Sequence, residues 1–236
     1  MLSHKTLLIT GASHGIGKAA ALFCAKQNAT VILLASNERA LEQCYDEIIA
    51  LKKQTPLICT FNLESAVADD YVTLKNTLEQ KSIVLDGLIH CAGQLKSLRP
   101  IEHTPLEQWH RLMQINTNAR FALTQTLLPL LRKSEQSHLI FTLSDKAFDK
   151  GQANWGAYQV TEKANAALFE ILKEELDNST IKVNAVNAPD CNTKLRKQAF
   201  PFEENPHLVE PSALDCLWQS CFDKSITHGE VISLGN

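Results

Sequence analysis

The sequence has no long apolar run. Stretches such as 31–35 and 127–131 are far shorter than the roughly 18 residues that a membrane-spanning helix requires. The N-terminus also lacks the basic region, apolar stretch and cleavage site of a secretion signal, because after Lys5 the chain runs directly into the strand-like segment 6–10. We therefore expect no membrane segment, and a cytoplasmic location is the simplest interpretation.

Clusters of positive charge are missing as well. The 236 residues include 23 Lys plus Arg and 26 Asp plus Glu, a net charge of −3, and the basic residues form no block of the kind that follows a phosphate backbone. The charge pattern argues against nucleic acid as a partner.

Paired cysteines are absent. The seven cysteines are scattered, with no Cys-x-x-Cys and no Cys/His spacing suited to zinc, and His14, His103 and His110 form no convincing ligand set. The sequence therefore predicts no metal site. Scattered cysteines of this kind are typical of small core residues in a reducing compartment.

Short apolar segments alternate with helix-period segments along the chain. Seven of them have the composition of strands: 6–10, 30–34, 56–61, 87–91, 138–142, 182–186 and 231–234. With six helical stretches between them, they predict an α/β fold, namely a Rossmann-type doubly wound sheet of seven parallel strands in three α/β/α layers. No linker or repeat divides the chain, so we expect one domain over residues 1–236.

A helix-start signal precedes the longest predicted helix. Thr104 is expected to cap this helix, with Pro105 at its first position and Glu107 three residues after the cap. The helix should run on towards Lys133, with a bend near Asn116.

The segment 189–211 lacks clear periodicity and contains several prolines. It follows the sixth predicted strand, and α/β proteins place substrate contacts beyond the carboxyl ends of their strands. We expect an irregular substrate flap over about 189–211.

The segment after the first predicted strand is rich in glycine. Gly11 permits a tight turn, Gly15 lets the backbone approach a pyrophosphate, and Gly17 lets helix and strand pack closely. The following helix offers free N–H groups and the positive end of its dipole. These features predict a dinucleotide-binding loop that also includes Ser13, His14 and Ile16.

Further landmarks follow this loop. Cys91-Ala92-Gly93 comes after the fourth predicted strand, Asn116 lies in the long helix, and Tyr158 ends the segment Asn-Trp-Gly-Ala-Tyr. In these landmarks and its glycine spacing the whole chain resembles the short-chain dehydrogenase/reductase family, towards a bacterial oxidoreductase branch. The resemblance implies a nicotinamide dinucleotide bound beside Cys91, Ala92 and Gly93, and an alcohol or carbonyl substrate.

The end of the second predicted strand bears on the choice of cofactor. An acidic residue there binds the ribose of NAD and repels the 2′-phosphate of NADP. Here Ala35 is followed by Ser36 and Asn37, with Arg39 nearby, and this favours NADP over NAD.

The resemblance implies other cofactor contacts after later strands. Asn62, with Leu63 next to it, is expected either to accept a hydrogen bond from the adenine or to act only as a turn residue. Thr193 is expected to contact the nicotinamide side.

The catalytic positions depart from the family pattern. The resemblance implies Tyr158 as the acid/base and Asn116 as support for a proton-relay water, but the family's lysine, four residues after the tyrosine, is Glu162. At about 100° per residue, Lys163 lies roughly 140° around the helix from Tyr158, so it cannot simply replace that lysine.

The serine position is changed too. The residue thirteen before Tyr158 is Asp145, and Ser144 would serve only if the strand end were re-registered. Two carboxylates around one phenol should raise the Tyr158 pKa. Asp145 and Glu162 are also candidates for acid/base work of their own.

Three functions therefore stay open. The first is an NAD(P)(H)-dependent oxidoreductase that acts on an alcohol or carbonyl, and the second is a catalytically impaired dinucleotide-binding sensor or partner. The third is an interaction module without cofactor, which the intact glycine loop argues against.

We also expect a homodimer or homotetramer. The predicted helices from Pro105 to Lys133 and from Ala157 to Asp177 resemble the two that pair across the family's common dimer axis. They carry more apolar residues than one core stripe requires: Leu123, Leu127, Leu130, Ala166, Phe169 and Leu172.

Overall fold

A computed structural model of the protein describes residues 2–234. Its core is one sheet of seven parallel strands in the order β3-β2-β1-β4-β5-β6-β7. The strands are β1 Thr6–Thr10, β2 Thr30–Ala35, β3 Leu57–Thr60, β4 Gly87–His90, β5 Ser137–Ser144, β6 Ile181–Ala188 and β7 Val231–Ile232. The predicted doubly wound seven-stranded sheet is confirmed.

Helices cover both faces of the sheet. They are α1 Gly15–Lys26, α2 Glu38–Ala50, α3 Ala68–Gln80, α4 Leu106–Met113, α5 Ala119–Leu131, α6 Gly156–Leu176, α7 Lys194–Ala199 and α8 Asp215–Cys221. Because side chains alternate along a strand, Leu7 and Ile9 pack into the core under α1, α2 and α8, while Leu8 packs into the core under α3, α5 and α6.

The strand order places the functional end of the sheet. After β3 the chain returns to the other side of β1, so β1 and β4 are neighbours from which the connections diverge. Such a switch point leaves a crevice at the carboxyl ends of the strands.

The long predicted helix is interrupted where a bend was expected. Residues Gln114–Asn118 form a π-helical turn between α4 and α5, and Asn116 at its centre is buried. The side-chain amide of Asn165 donates to the Asn116 carbonyl over 3.0 Å, which satisfies a backbone group in this turn.

The predicted capping of that helix by Thr104 is wrong. The Thr104 hydroxyl donates to the Pro100 carbonyl over 3.1 Å, and Pro105 occupies the cap position of α4 without a side-chain hydrogen bond. The helix begins one residue later than predicted, so Thr104 lies before the cap position.

The segment 189–211 is more ordered than expected. It contains the short helix α7, whose start is capped by the Thr193 hydroxyl, which accepts from the Arg196 amide. A six-residue helix is too short to show a clear period in the sequence.

Within residues 2–234, no helix is both long enough and apolar enough to cross a membrane.

Candidate active site

A cavity of about 570 Å³ opens at the carboxyl ends of β1, β4 and β5. It gathers most of the residues that the sequence predicts for cofactor and catalysis. Those on its wall are Gly11, Ser13, His14, Gly15, Ile16, Gly17, Ser36, Asn62, Leu63, Cys91, Ala92, Gly93, Ser144, Asp145, Tyr158, Glu162 and Thr193.

The glycine loop has the backbone that the motif requires. Gly11 has a φ of +67°, and a Cβ there would lie 2.9 Å from the Cα of Ala92. A Cβ on Gly17 would lie 2.4 Å from the Gly11 carbonyl oxygen. Both positions therefore exclude a side chain, and the turn brings β1, α1 and the loop after β4 into contact.

The N-terminus of α1 faces this cavity with free donors. The residue before it, His14, is extended and makes no side-chain cap, and the first turn contains no acidic residue. The Ser13 hydroxyl instead bonds the His14 ring over 2.8 Å. The exposed N–H groups and helix dipole suit a pyrophosphate.

Two residues predicted to contact the adenosine side of the cofactor instead accept hydrogen bonds from nearby backbone amides. The Asn37 side chain caps α2 by accepting from the Ala40 amide over 3.0 Å, and Asn37 lies outside the cavity wall. The Asn62 side chain accepts from the Glu64 amide over 3.0 Å, as a turn residue does. Ala35 and Ser36 remain on the wall, so no carboxylate stands at the end of β2.

Two polar side chains hold the loop after β4. The Thr10 hydroxyl accepts from the amides of Cys91 and Ala92, each over 3.0 Å. The Asn116 amide pairs with both backbone groups of Gln94, at 2.8 and 2.9 Å. Asn116 is thus a support behind the cavity, outside its wall, and its carbonyl is engaged by Asn165.

The end of β5 meets α6 through Ser144. Its amide and hydroxyl both donate to Glu162 Oε2, over 2.8 and 2.7 Å. Asp145, by contrast, accepts from the Asn187 amide on β6 over 2.8 Å. Ser144, which was expected to serve only if the loop were re-registered, is thus the residue that contacts Glu162 at the family's lysine position.

The phenol of Tyr158 lies buried beside this pair. Its pKa is raised, first by burial and then by the charge of Glu162, with a further contribution from Asp190. Ser144 and Arg120 act in the opposite direction. The direction matches the expectation, but burial is the main cause, and the second carboxylate is Asp190 where Asp145 was expected.

Burial also raises the pKa of Glu162. The Arg120 charge and the two Ser144 hydrogen bonds oppose this rise. The carboxylate therefore depends on a cation and on two donors for its ionised form.

Arg120 is the residue that the sequence reasoning missed. Its side chain is 5% exposed and lines the cavity, and its guanidinium donates to the carbonyls of Thr142 and Ala92 over 3.3 and 3.4 Å. One signal was available: Arg120 is the single charged residue in the sequence of α5. A lone charge in an apolar helix is rarely buried without a partner.

The lysines near Tyr158 do not replace the missing one. Lys163 is exposed and donates to the Asp149 carbonyl over 2.6 Å, as its helix angle predicted. Lys146 lies on the cavity wall, where its ammonium bonds Asp149 and sits 4.9 Å from the centre of the Trp155 ring.

An apolar wall faces Tyr158 from the other side. The Trp155 ring lies 5.9 Å from both the Tyr158 and the Phe200 rings, and Leu95 belongs to the same buried cluster. Arg196 stacks on Phe200 at 4.2 Å and pairs with Asp190 and Glu203. The Arg196 contacts hold the segment after β6 together, and the Trp155–Phe200 contact joins this segment to the residue before α6.

Sequence comparison assigns this arrangement to a family. The sequence model of the short chain dehydrogenase family matches residues 5–204. The chain belongs to the short-chain dehydrogenase family.

Bacterial proteins are among its relatives. The uncharacterized oxidoreductase YciK of Escherichia coli K12 is 36% identical over 212 residues, which cover 90% of this chain and 83% of YciK. A short chain dehydrogenase of Shigella flexneri, crystallised with NADP, superimposes with a TM-score of 0.93 at 35% identity, covering 98% of this chain and 97% of the other.

A third relative has the same architecture. A short chain dehydrogenase of Escherichia coli CFT073, crystallised with NADPH, gives a TM-score of 0.94 at 34% identity and covers 100% of this chain and 98% of its own. The fold of this short-chain dehydrogenase thus matches solved structures over its whole length.

Thiols and metal-binding groups contribute little to the site of this short-chain dehydrogenase. Burial raises the pKa of Cys91 to about 11 and that of Cys191 to about 12, so both thiols are poor nucleophiles near neutral pH. Between Leu2 and Leu234, no three His, Cys, Asp or Glu side chains are grouped to hold a metal ion.

Proposed function

We propose that the protein is an NADP(H)-dependent oxidoreductase that reduces a carbonyl, or oxidises the corresponding alcohol, with Tyr158 as the acid/base. The observation that carries this proposal is the position of Tyr158. Its phenol shares one cavity wall with the glycine loop and with Ser144. A proton donor and a dinucleotide cradle in one crevice suit hydride chemistry.

The glycine loop and the free N-terminus of α1 would hold the pyrophosphate, and Thr193 beside Gly15 would close over it. The absence of a carboxylate at Ala35 and Ser36 supports NADP over NAD, as do the NADP and NADPH bound to the two structural relatives. The bound cofactor supplies or accepts the hydride.

Tyr158 is suited to the acid role. Its raised pKa keeps the phenol protonated near neutral pH, so it can donate its proton to the oxygen of a carbonyl as that oxygen becomes a hydroxyl. Arg120 and Ser144 favour the phenolate that remains. The chain therefore favours reduction near neutral pH, and alcohol oxidation requires more alkaline conditions.

The apolar wall supports a substrate with an apolar body. Trp155, Leu95 and Phe200 form an apolar surface beside the phenol, and Lys146 and Arg196 lie over the Trp155 and Phe200 rings. A carbonyl on an aromatic or aliphatic framework would bury that framework against them while its oxygen meets Tyr158.

The direct test follows NADPH absorbance with a panel of aromatic and aliphatic ketones and aldehydes. We expect turnover with at least one of them, and a loss of at least about 100-fold in kcat in Tyr158→Phe. Tyr45→Phe, on α2 and outside the cavity wall, is the matched control and should leave the rate unchanged.

Thermal shift separates binding from chemistry. At about 100 times its Kd a ligand adds roughly 2.7 kcal/mol of stability. A shift with NADPH but no turnover on the whole panel would favour the catalytically impaired sensor. No shift with NADPH or NADH would favour the interaction module.

We also propose a homo-oligomer, now on different residues. The apolar residues first considered are mostly used inside the chain, because Leu123, Leu127, Leu130, Phe169 and Leu172 are buried in the core beside the sheet. The large apolar residues that are exposed on α5 and α6 are Phe121, Val160 and Ile171. A monomeric mass by light scattering at micromolar concentration would refute this proposal.

A further inference from the structure

The cavity contains two buried side chains of opposite charge. Arg120 and Glu162 are each only 5% exposed and both line the wall. A buried carboxylate is costly unless a cation or several donors compensate it, and a buried guanidinium needs an anion for the same reason. The two residues are on different helices, α5 and α6, and 42 positions apart in the sequence.

Each member of the pair bonds to groups other than its partner. The Arg120 guanidinium donates to carbonyls at the ends of β4 and β5, those of Ala92 and Thr142. Glu162 accepts the two donors of Ser144. Thr142 and Ser144 lie two residues apart at the end of β5, so both charges are anchored at the same strand end without a direct bond between them.

We propose that Arg120 is a positioning residue that supplies, from α5, the positive charge that the family resemblance assigns to a lysine on α6. Arg120 holds Glu162 in its ionised form, and its own positive charge offsets the effect of that carboxylate on Tyr158. The catalytic consequence rests on the proposed function. The effect of Arg120 on the ionisation of Glu162, by contrast, is a property of the protein without cofactor or substrate.

Arginine suits this role, because a guanidinium stays charged in protein interiors. Its planar group also keeps two carbonyl contacts while it remains charged. The carbonyl contacts and the Phe141 ring, 5.7 Å away, hold the charge in place.

Other ionisable groups lie near Arg120, Glu162 and Tyr158 in the cavity. Cys91 at the end of β4 interacts with Arg120, and Asp190 after β6 interacts with Tyr158. Asp145 and Lys146 line the wall from the turn after β5. Of these, burial keeps Cys91 protonated, and Lys146 is paired with Asp149.

The test measures the ionisation of Glu162 without cofactor or turnover. The protein is labelled with glutamate carrying ¹³C at the carboxyl carbon, and the Glu162 signal is assigned by its loss in Glu162→Gln. Arg120→Gln keeps hydrogen-bond donors but removes the charge, whereas Arg120→Lys keeps the charge. Arg132→Met, an exposed arginine just after α5, is the matched control.

We expect Arg120→Gln to make Glu162 at least about tenfold harder to ionise, which is one pKa unit, while Arg120→Lys and Arg132→Met stay within about threefold of wild type. An unchanged Glu162 titration in Arg120→Gln would overturn the proposal. It would also be overturned if Arg120→Lys behaved like Arg120→Gln, since only the guanidinium shape would then matter.

A second arm covers failure to fold. If Arg120→Gln is unfolded, the double variant Arg120→Gln/Glu162→Gln, which removes both charges, should recover a folded protein. A double variant that is no better folded than Arg120→Gln overturns the proposal, because Arg120 would then serve packing alone.

The catalytic readout is the pH profile of alcohol oxidation. Arg120→Gln should move the alkaline rise of kcat/KM to higher pH, and Arg120→Lys should restore it towards wild type. A Glu162 that titrates as expected in a protein that never turns over would leave the electrostatic assignment intact and refute only the proposed function.

Discussion

The two ends of the cavity are built on different principles. At the glycine loop, the contacts that shape the site are backbone contacts, and the essential feature of Gly11 and Gly17 is that they have no side chain. At the catalytic end, Ser144, Tyr158 and Glu162 act through their side chains, and Arg120 influences them from another helix. The glycine loop can be recognised from the sequence alone. The catalytic end cannot, because it depends on which side chains the fold brings together.

The largest expected effect is the loss of NADPH affinity when Gly17 in the glycine loop is replaced. In Gly17→Ala the new Cβ would meet the Gly11 carbonyl oxygen at 2.4 Å, so the turn must open. We expect NADPH affinity, measured by fluorescence titration, to fall by about 1000-fold, which is roughly 4 kcal/mol.

Gly151→Ala is the matched control, because a Cβ there meets nothing within 4 Å and Gly151 lies outside the cavity wall. It should bind NADPH within about threefold of wild type, less than 1 kcal/mol. Equal losses in the two variants would contradict the backbone account of the loop.

Restoring the family's lysine tests the catalytic end. Glu162→Lys places a second cation beside Arg120 in a buried wall and removes the acceptor of Ser144. We expect a loss of about 3 kcal/mol in the free energy of unfolding, measured in urea. Adding Arg120→Met should recover most of this loss, and no recovery would show that the two positions are independent.

The cofactor preference has a smaller expected effect. Ala35→Asp introduces a carboxylate at the end of β2, where it would repel a 2′-phosphate and accept from a ribose hydroxyl. The ratio of NADPH to NADH affinity should fall by about tenfold, or 1.4 kcal/mol. A wild-type protein that already prefers NADH would contradict the proposed choice of NADP.

The smallest effect is the pH dependence of stability that Glu162 causes. Because its folded pKa is raised, its stabilising contribution is present below the unfolded value, 4.5, and is lost as pH rises through the folded pKa. Thermal melts should therefore show Glu162→Gln gaining stability over wild type as pH increases, by about 1.4 kcal/mol for each unit of the pKa rise. A difference that is constant with pH would contradict a raised Glu162 pKa.

Much of the fold could be predicted from the sequence, because the spacing of apolar residues indicates which face of a strand or helix is buried. All seven strands, the glycine loop and the break at Asn116 were predicted, since each leaves a local pattern of apolar spacing or of special residues. The cap at Thr104 and the helix α7 were not, because the competing turn at Pro100 and a six-residue helix leave no distinct local signal.

The candidate site was legible only in part. The family positions identified Glu162 as the departure, but strand alternation alone pointed Ser144 away from it. Asn37 looked like a cofactor residue because capping of α2 and phosphate binding favour the same side chains. The single charge in α5 marked Arg120 as unusual, but its role depends on the fold bringing Arg120 and Glu162 to one cavity wall, which no local pattern encodes.

The coupling of the two buried charges is the most direct test of the catalytic end. A double-mutant cycle compares wild type, Arg120→Gln, Glu162→Gln and the double variant by urea unfolding near neutral pH, at one protein concentration. If the charges act as a unit, the double variant loses less stability than the sum of the single losses, with a coupling of at least about 1 kcal/mol. Losses that add to within about 0.5 kcal/mol would contradict the account, because Arg120 would then have no electrostatic bearing on Glu162.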